Sequence, residues 1–295
     1  MSIHETDSFK NELQGAVSTL RGFVNKVLQI KKNEAQEVFY RGHSDAKKYK
    51  LEPSIFRKNE DHEYIYKDKE HIIYRELIIS NPDDFSDDSS TLDKLIRMQH
   101  YSLPTRLLDI TTNPLIALYF ACKNNIEKEG EVILLATDKK NIKYFDSDTA
   151  SCISNLARLP QHEKNLLDLQ LDKEQFNKLD SSKKLLHFIK EEKPFFEAKI
   201  DPMDLKKIIC IKGKKSNARI SSQSGAFFLF GLDSRLSEQG NEDIAIQRLL
   251  ISGKRGILRE LDMLNINEST VFPYIDNSAK YIAEKYGNVS KSKDQ

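Results

Sequence analysis

Apolar residues recur at helical spacing from Asp7 to Lys31, where Phe9, Leu13, Val17, Leu20, Phe23, Val24, Val27 and Leu28 mark a core-packing helix. Glu37–Gly42 (EVFYRG) then predicts a short strand that ends at a glycine able to turn, with Arg41 at the strand end. Pro53 enforces an extended piece over Leu51–Arg57, and a helix is predicted from about Lys69 to Ser80. Ser90 or Thr91 can cap the next helix, which runs through Met98 to a turn at Ser102–Pro104. TRLLDI follows as a strand. Thr111–Asn113 caps a second helix with Pro114 in its first turn, where a missing amide proton costs little. Leu115, Leu118, Tyr119 and Cys122 of that helix face the core. EVILLATD, between Gly130 and Asp138, is a continuous β-rich apolar run and suits the centre of a sheet.

From Lys139 to Lys193 the pattern is mostly helical and rich in lysine. Strands resume at Lys207–Ile211 and Ala226–Phe230 and frame the polar connector ARISSQSG. A helix ending near Arg259, a short strand or turn in TVFPYID and a last helix through Tyr281 complete the chain. These elements predict a single α+β domain. Its parts are an N-terminal helix within 1–35, a core formed by 36–138 and 200–285, a helical insertion at 139–199 and a frayed tail at 286–295.

Composition narrows the function. With 39% hydrophobic and 31% charged residues, the 295-residue chain can bury a substantial core. A formal charge of +1 gives no global field toward nucleic acid or an anionic membrane. No long apolar run and no signal-peptide centre is present, so a cytoplasmic location with no membrane partner is expected. Cys122, Cys152 and Cys210 are spaced like buried thiols, and the histidines lack metal-ligand spacing, so no metal is expected.

The densest polar cluster is Gln99, His100, Thr105, Arg106, Asp109, Thr111, Thr112 and Asn113, set in an apolar frame. Strand alternation puts Asp109 with Thr111 but not with Arg106. A buried charge must be paired, so Arg41, Arg106, Asp109 and Arg219 suggest one shared network. His100 is a candidate general base. Plainer roles stand beside these: Asp109 holding a loop, Thr112 or Asn113 capping a helix, Arg106 pairing with a buried carboxylate. No dinucleotide-binding glycine motif, P-loop or serine-nucleophile turn occurs.

FYRG at Phe39–Gly42, LEPSIFR at Leu51–Arg57, the long stretch Met98–Cys122, RISSQSGAF at Arg219–Phe227 and VFPYIDNSAKYI at Val271–Ile282 together resemble the FRG domain family. The name-giving tripeptide reads Tyr40-Arg41-Gly42 here. That resemblance implies an accessory, toxin-like or phage-defence role and does not itself define a reaction. At the level of layout the chain is also similar to ADP-ribosyltransferases of the R-S-E type.

That likeness implies a central mixed β-sheet of split form flanked by helices, with NAD as substrate. Arg41 takes the arginine role, Thr111 and Thr112 the Ser/Thr role, and Gln223 stands where glutamate is usual, so Asp109 is the alternative carboxylate. Catalytic candidates are Arg41, Asp109, Gln223 and His100. Tyr40, Arg41, Gly42, Arg106, Thr111, Thr112, Asn113, Tyr119 and Arg219 are candidates for binding the cofactor. The acceptor would be a protein or nucleic acid, with an antitoxin or other defence-system component as a further partner. Two other classes stay open: a non-catalytic nucleotide- or partner-binding module, and a metal-dependent nuclease using Asp109 and Glu76.

Overall fold

A computed structural model describes residues 15–30, 33–213, 222–223, 225–232 and 235–273. In chain order its elements begin with β1 (Ala16–Val17), α1 (Leu20–Leu28) and β2 (Gln36–His43). Then come α2 (Glu70–Ser80), α3 (Thr91–His100), β3 (Leu107–Thr111), α4 (Pro114–Lys123) and β4 (Gly130–Asp138). The lysine-rich stretch holds β5 (Ile142–Tyr144), α5 (Asp148–Asn155), α6 (Gln161–Asn165), α7 (Lys173–Phe176) and α8 (Asp180–Glu192). The remainder is β6 (Ile208–Lys212), β7 (Gly225–Phe230), β8 (Ile244–Ile251), α9 (Lys254–Met263) and α10 (Glu268–Val271).

All these strands join one mixed sheet in the order β1-β8-β4-β2-β3-β7-β6-β5. The β1–β8 and β5–β6 pairs are parallel and the rest antiparallel. β4 is buried along nearly its whole length and lies between β2 and β8, as its unbroken apolar run predicts. The α+β class with helices flanking a mixed sheet therefore holds.

Side-chain alternation divides the core. On one face Val38, Tyr40, Val132, Leu134 and Leu249 pack against α1, α4 and α9. Leu107, Ile209, Phe227 and Leu229 share that face but belong to a separate cluster with α3 and the helices of the 139–199 region. The opposite face carries a third cluster, which includes Phe39, Leu108, Ile110, Ile133, Phe228, Leu51, Ile55 and Phe56. The first two clusters meet at the junction of β2 and β3. There the strands pair at a single position, Tyr40 opposite Thr111, and then part.

Several expected boundaries move. Residues 1–14 and 31–32 lie outside the described region, and Val17 is not helical: it pairs with Ile251, and Thr19 caps α1 by accepting the Gly22 N–H at 3.1 Å. Leu51–Arg57 is not wholly extended, because Ser54–Phe56 closes a 3₁₀ turn that buries Ile55 and Phe56. The segment Ile244–Ile251, not singled out as a strand, is a long one that zips against β4, and the helix after it runs past Arg259 to Met263. Thr270 and Val271 end a short helix, whereas residues 274–295, with the predicted last helix and tail, lie outside the described region.

The capping predictions match. Ser90 accepts the Asp93 N–H, and Asn113 caps α4 by accepting the Leu115 N–H, with Pro114 in the first turn. All three cysteines are buried and free, and burial pushes the Cys122 and Cys152 thiols up to about 12. Among the described residues no helix is long and apolar enough to cross a membrane.

Candidate functional site

Gly42 sets how closely α4 approaches the sheet. A Cβ there would lie 1.9 Å from the Ala117 carbonyl oxygen and 2.6 Å from the Ala121 nitrogen, so only glycine lets the helix lie on β2. α4 thus sits beside the β2–β3 junction, and between it and α3 the junction opens into a recess of about 160 Å³. Ile96, Ile116, Phe120 and Phe227 form apolar walls, while Tyr40, Arg41, Gln99, His100, Asp109, Thr111 and Gln223 supply the polar groups.

Arg41 is half-buried, and alternation along β2 puts its side chain on the face of Phe39 and His43, from which it reaches β3 where the two strands part. Its Nη1 donates to the Asp109 backbone carbonyl at 2.6 Å, an oxygen that β2 leaves without a ladder partner where the strands part. Its Nε donates to His43 Nε2 at 3.0 Å. Burial lowers the proton affinity of the guanidinium, Asp109 opposes that shift and Arg57 adds to it. Arginine still remains charged.

Asp109 is the one acidic residue among the described residues that line the recess. Thr105 donates its hydroxyl to Gln99 Oε1 at 2.6 Å, which turns the Gln99 amide so that Nε2 donates to Asp109 Oδ2 at 2.9 Å. The carboxylate is held in place through that oxygen, and its other oxygen accepts no hydrogen bond from the described residues. Arg41 and Asp109 side chains form no ion pair within 4.0 Å, although both residues line the recess.

Thr111 and Gln223 tie the floor of the recess to the preceding turn. Thr111 Oγ1 donates to the Gln223 carbonyl at 2.6 Å and accepts the Asn113 N–H at 3.0 Å. Gln223 Nε2 donates to the Val271 carbonyl at 3.0 Å, which joins α10 to the site. His100, at the end of α3, lines the recess and meets Tyr101 edge-on, with ring centroids 4.9 Å apart.

Of the residues singled out in sequence, Arg41, Asp109, Gln223, His100, Tyr40, Gly42 and Thr111 therefore converge. Arg106 does not. It is 1% exposed, bonds Glu70 through Nε at 2.8 Å and Nη2 at 2.5 Å, and donates Nη1 to the Phe230 and Gly231 carbonyls. Lys164 joins the same carboxylate at 2.5 Å, so these charges make a structural knot away from the recess. Asn113 caps α4, Thr112 is exposed, and Tyr119 turns into the core beside α4 while Phe120, the next residue, lines the recess. Glu76 is exposed on α2 and is not among the lining residues. Arg219 lies outside the described residues.

Two contributors went unassigned in sequence. Gln99 was visible as part of the polar cluster without a role. His43 follows Arg41 by two residues on β2, and strand alternation alone puts both on one face.

Residues 36–130, about from the start of β2 to the first residue of β4, match the FRG domain family. No curated protein and no solved structure matches the chain. The matched span supplies Arg41, Gln99, Asp109, Thr111 and the whole of α4, with Gln223 and the Phe227 wall coming from beyond it. The chain therefore carries an FRG domain that contributes most of the recess.

Proposed function

We propose that the recess takes the nicotinamide end of NAD and that the chain is an NAD-consuming ADP-ribosyltransferase-like enzyme. The observation that carries this reading is an arginine and an aspartate that both line one recess with no ion pair between their side chains. The volume of about 160 Å³ resembles the roughly 150 Å³ known to hold a benzene ring, so one ring fits and the rest of a dinucleotide would lie outside. Apolar walls suit the ring, and the Arg41 edge suits a phosphate.

In the reaction the bond between the nicotinamide nitrogen and ribose C1′ breaks, and its electron pair leaves with neutral nicotinamide. The positive charge that develops on the ribose is stabilised by Asp109, and an acceptor nucleophile then bonds to C1′ and loses its proton. Asp109 takes this role because the Gln223 amide is neutral and bonded to Val271. The acceptor would be a protein or nucleic acid, and the setting a toxin or defence effector with a neutralising partner.

A second reading has one observation in its favour: that same Gln223 bond leaves no charge at the third motif, as suits a module that binds a nucleotide without cleaving it. Nicotinamide release from NAD, measured beside NAD binding by calorimetry, separates the two. Release that Asp109→Asn abolishes supports the enzyme. Binding without release supports the module, and absence of both removes NAD from the account. Growth arrest on expression of wild type but not of Asp109→Asn would support the effector role.

A further inference from the structure

On the sheet face opposite α4, Arg41 ends a line of polar groups that runs inward from the surface. Glu238 bonds Arg248 Nη2 at 2.5 Å, and Arg248 Nη1 grips both oxygens of Glu131 at 2.8 and 2.7 Å. Glu131 Oε1 lies 2.9 Å from His43 Nδ1, and His43 Nε2 accepts from Arg41 Nε. The outer pair is partly exposed, whereas the His43 and Glu131 side chains are each 3% exposed. Backbone register fixes the arrangement: His43 on β2 stands directly opposite Glu131 on β4, and Arg248 on β8 stands opposite Ile133 two residues along.

The proton inventory admits one state. Arginine Nε only donates, so His43 Nε2 must carry a lone pair, and the ring is neutral with its proton on Nδ1, donated to Glu131. The ring cannot swing away, being buried, tethered to a doubly held carboxylate and flanked by the Tyr49 ring at 5.8 Å. Two anchors, His43 Nε2 and the Asp109 carbonyl, then define the plane of the guanidinium of Arg41, a residue that lines the recess.

We propose that His43, as the neutral Nδ1–H tautomer, is the positioning residue that aims Arg41 into the recess, and that its protonation releases the guanidinium. A charged His43 would point an N–H at the Arg41 N–H and set two cations side by side. The groups facing the ring are Glu131 from β4, Arg248 from β8, Arg41 from its own strand and the Tyr49 ring. Burial, Arg41 and Arg248 oppose protonation and outweigh Glu131, so the ring stays neutral to below the ordinary value of 6.5. Where ligand affinity is concerned, this rests on the reading of the recess as a nucleotide site.

The test uses full-length protein and two independent readouts. Nitrogen-15 NMR of the unliganded protein at neutral pH should show His43 protonated at Nδ1 only, and acid should shift the Arg41 Nε resonance in step with His43. NAD binding should weaken roughly 10- to 100-fold in His43→Leu, as expected when a bond to a charged group is lost. His43→Gln, which can present an oxygen to Arg41 Nε, should recover most of that loss and lack the acid limb expected of wild type below pH 6.5. An Nε2–H or charged His43 at neutral pH overturns the proposal. So does a folded His43→Leu that binds as wild type does, or an acid limb that persists in His43→Gln. If wild type binds no NAD at any pH, the nucleotide reading fails and the NMR result alone decides the role of His43.

Discussion

Arg41 reaches Asp109 through the backbone carbonyl, at 2.6 Å, and leaves the Asp109 carboxylate to Gln99. Charge and scaffold at this position can therefore be separated. In Asp109→Asn the amide oxygen can still accept from Gln99 Nε2, and the Arg41 bond to the main chain is untouched. Thermal stability should stay within about 1 kcal/mol of wild type, the range of one hydrogen bond. Nicotinamide release should fall about 10²- to 10³-fold, the scale of losing one group that stabilises transition-state charge. Calorimetry and a nicotinamide assay on the same samples check both halves. A large loss of stability with activity retained per folded molecule would assign Asp109 to the scaffold instead.

Gly42→Ala tests the contact that shapes the recess. The added methyl would meet main-chain atoms of α4, at 1.9 Å from Ala117 O and 2.6 Å from Ala121 N, and a helix backbone cannot rotate out of the way as a side chain can. α4 must move off β2, at a cost of about 1–3 kcal/mol or more. Because Ile116 and Phe120 ride on that helix, the apolar wall moves with it. Urea denaturation should show the destabilisation, and NAD binding should weaken even where the variant is fully folded.

The Glu70 knot predicts an acid-sensitive part of stability that is separate from the recess. Burial pushes the Glu70 carboxyl up, but Arg106 and Lys164 override it and hold it at about 2 against an ordinary 4.5. The folded value is the lower one, so the unfolded chain binds the proton first. The contribution is complete above pH 4.5 and is lost as pH falls through about 2. Glu70→Gln leaves two buried cations without their counter-ion and should cost about 3–5 kcal/mol near neutrality. Urea titrations across that pH range should show the gap between wild type and variant closing in acid; a constant gap would mean the carboxylate charge is not what stabilises the knot.

How much of this was legible in sequence depends on the range of the interaction. Ser90, Asn113 and Pro114 act on neighbours within a few residues, so the caps and the α3–β3–α4 order could be read directly. Ile244–Ile251 is stabilised as a strand by β4, more than a hundred residues earlier, and its local apolar spacing does not distinguish it from the helix that follows. Arg106 and Asp109 both look like charges in an apolar frame. Only tertiary structure reveals that Glu70 lies against the one, while the other opens on a recess. Alternation extended by one residue past Gly42 would have put His43 on the face of Arg41, but the strand was read as ending at Gly42, and Glu131 reaches His43 only through strand pairing.

Gln223 offers the sharpest separation of family-like layout from physical role. Its side chain does not hang free in the recess: Nε2 donates to the Val271 carbonyl at 3.0 Å, and its own carbonyl accepts from Thr111. Gln223→Glu would place a carboxylate against that carbonyl, acceptor facing acceptor, in a residue only 8% exposed. The loss of the bond together with an unsatisfied buried acceptor should cost about 1–3 kcal/mol and loosen α10 from the floor of the recess. If the site lacked only a glutamate, the same substitution would instead raise nicotinamide release. The expected result is a lower melting temperature with no gain in release, and Asp109→Asn combined with Gln223→Glu should remain inactive. A gain of tenfold or more in the single variant would move the catalytic carboxylate from Asp109 to position 223.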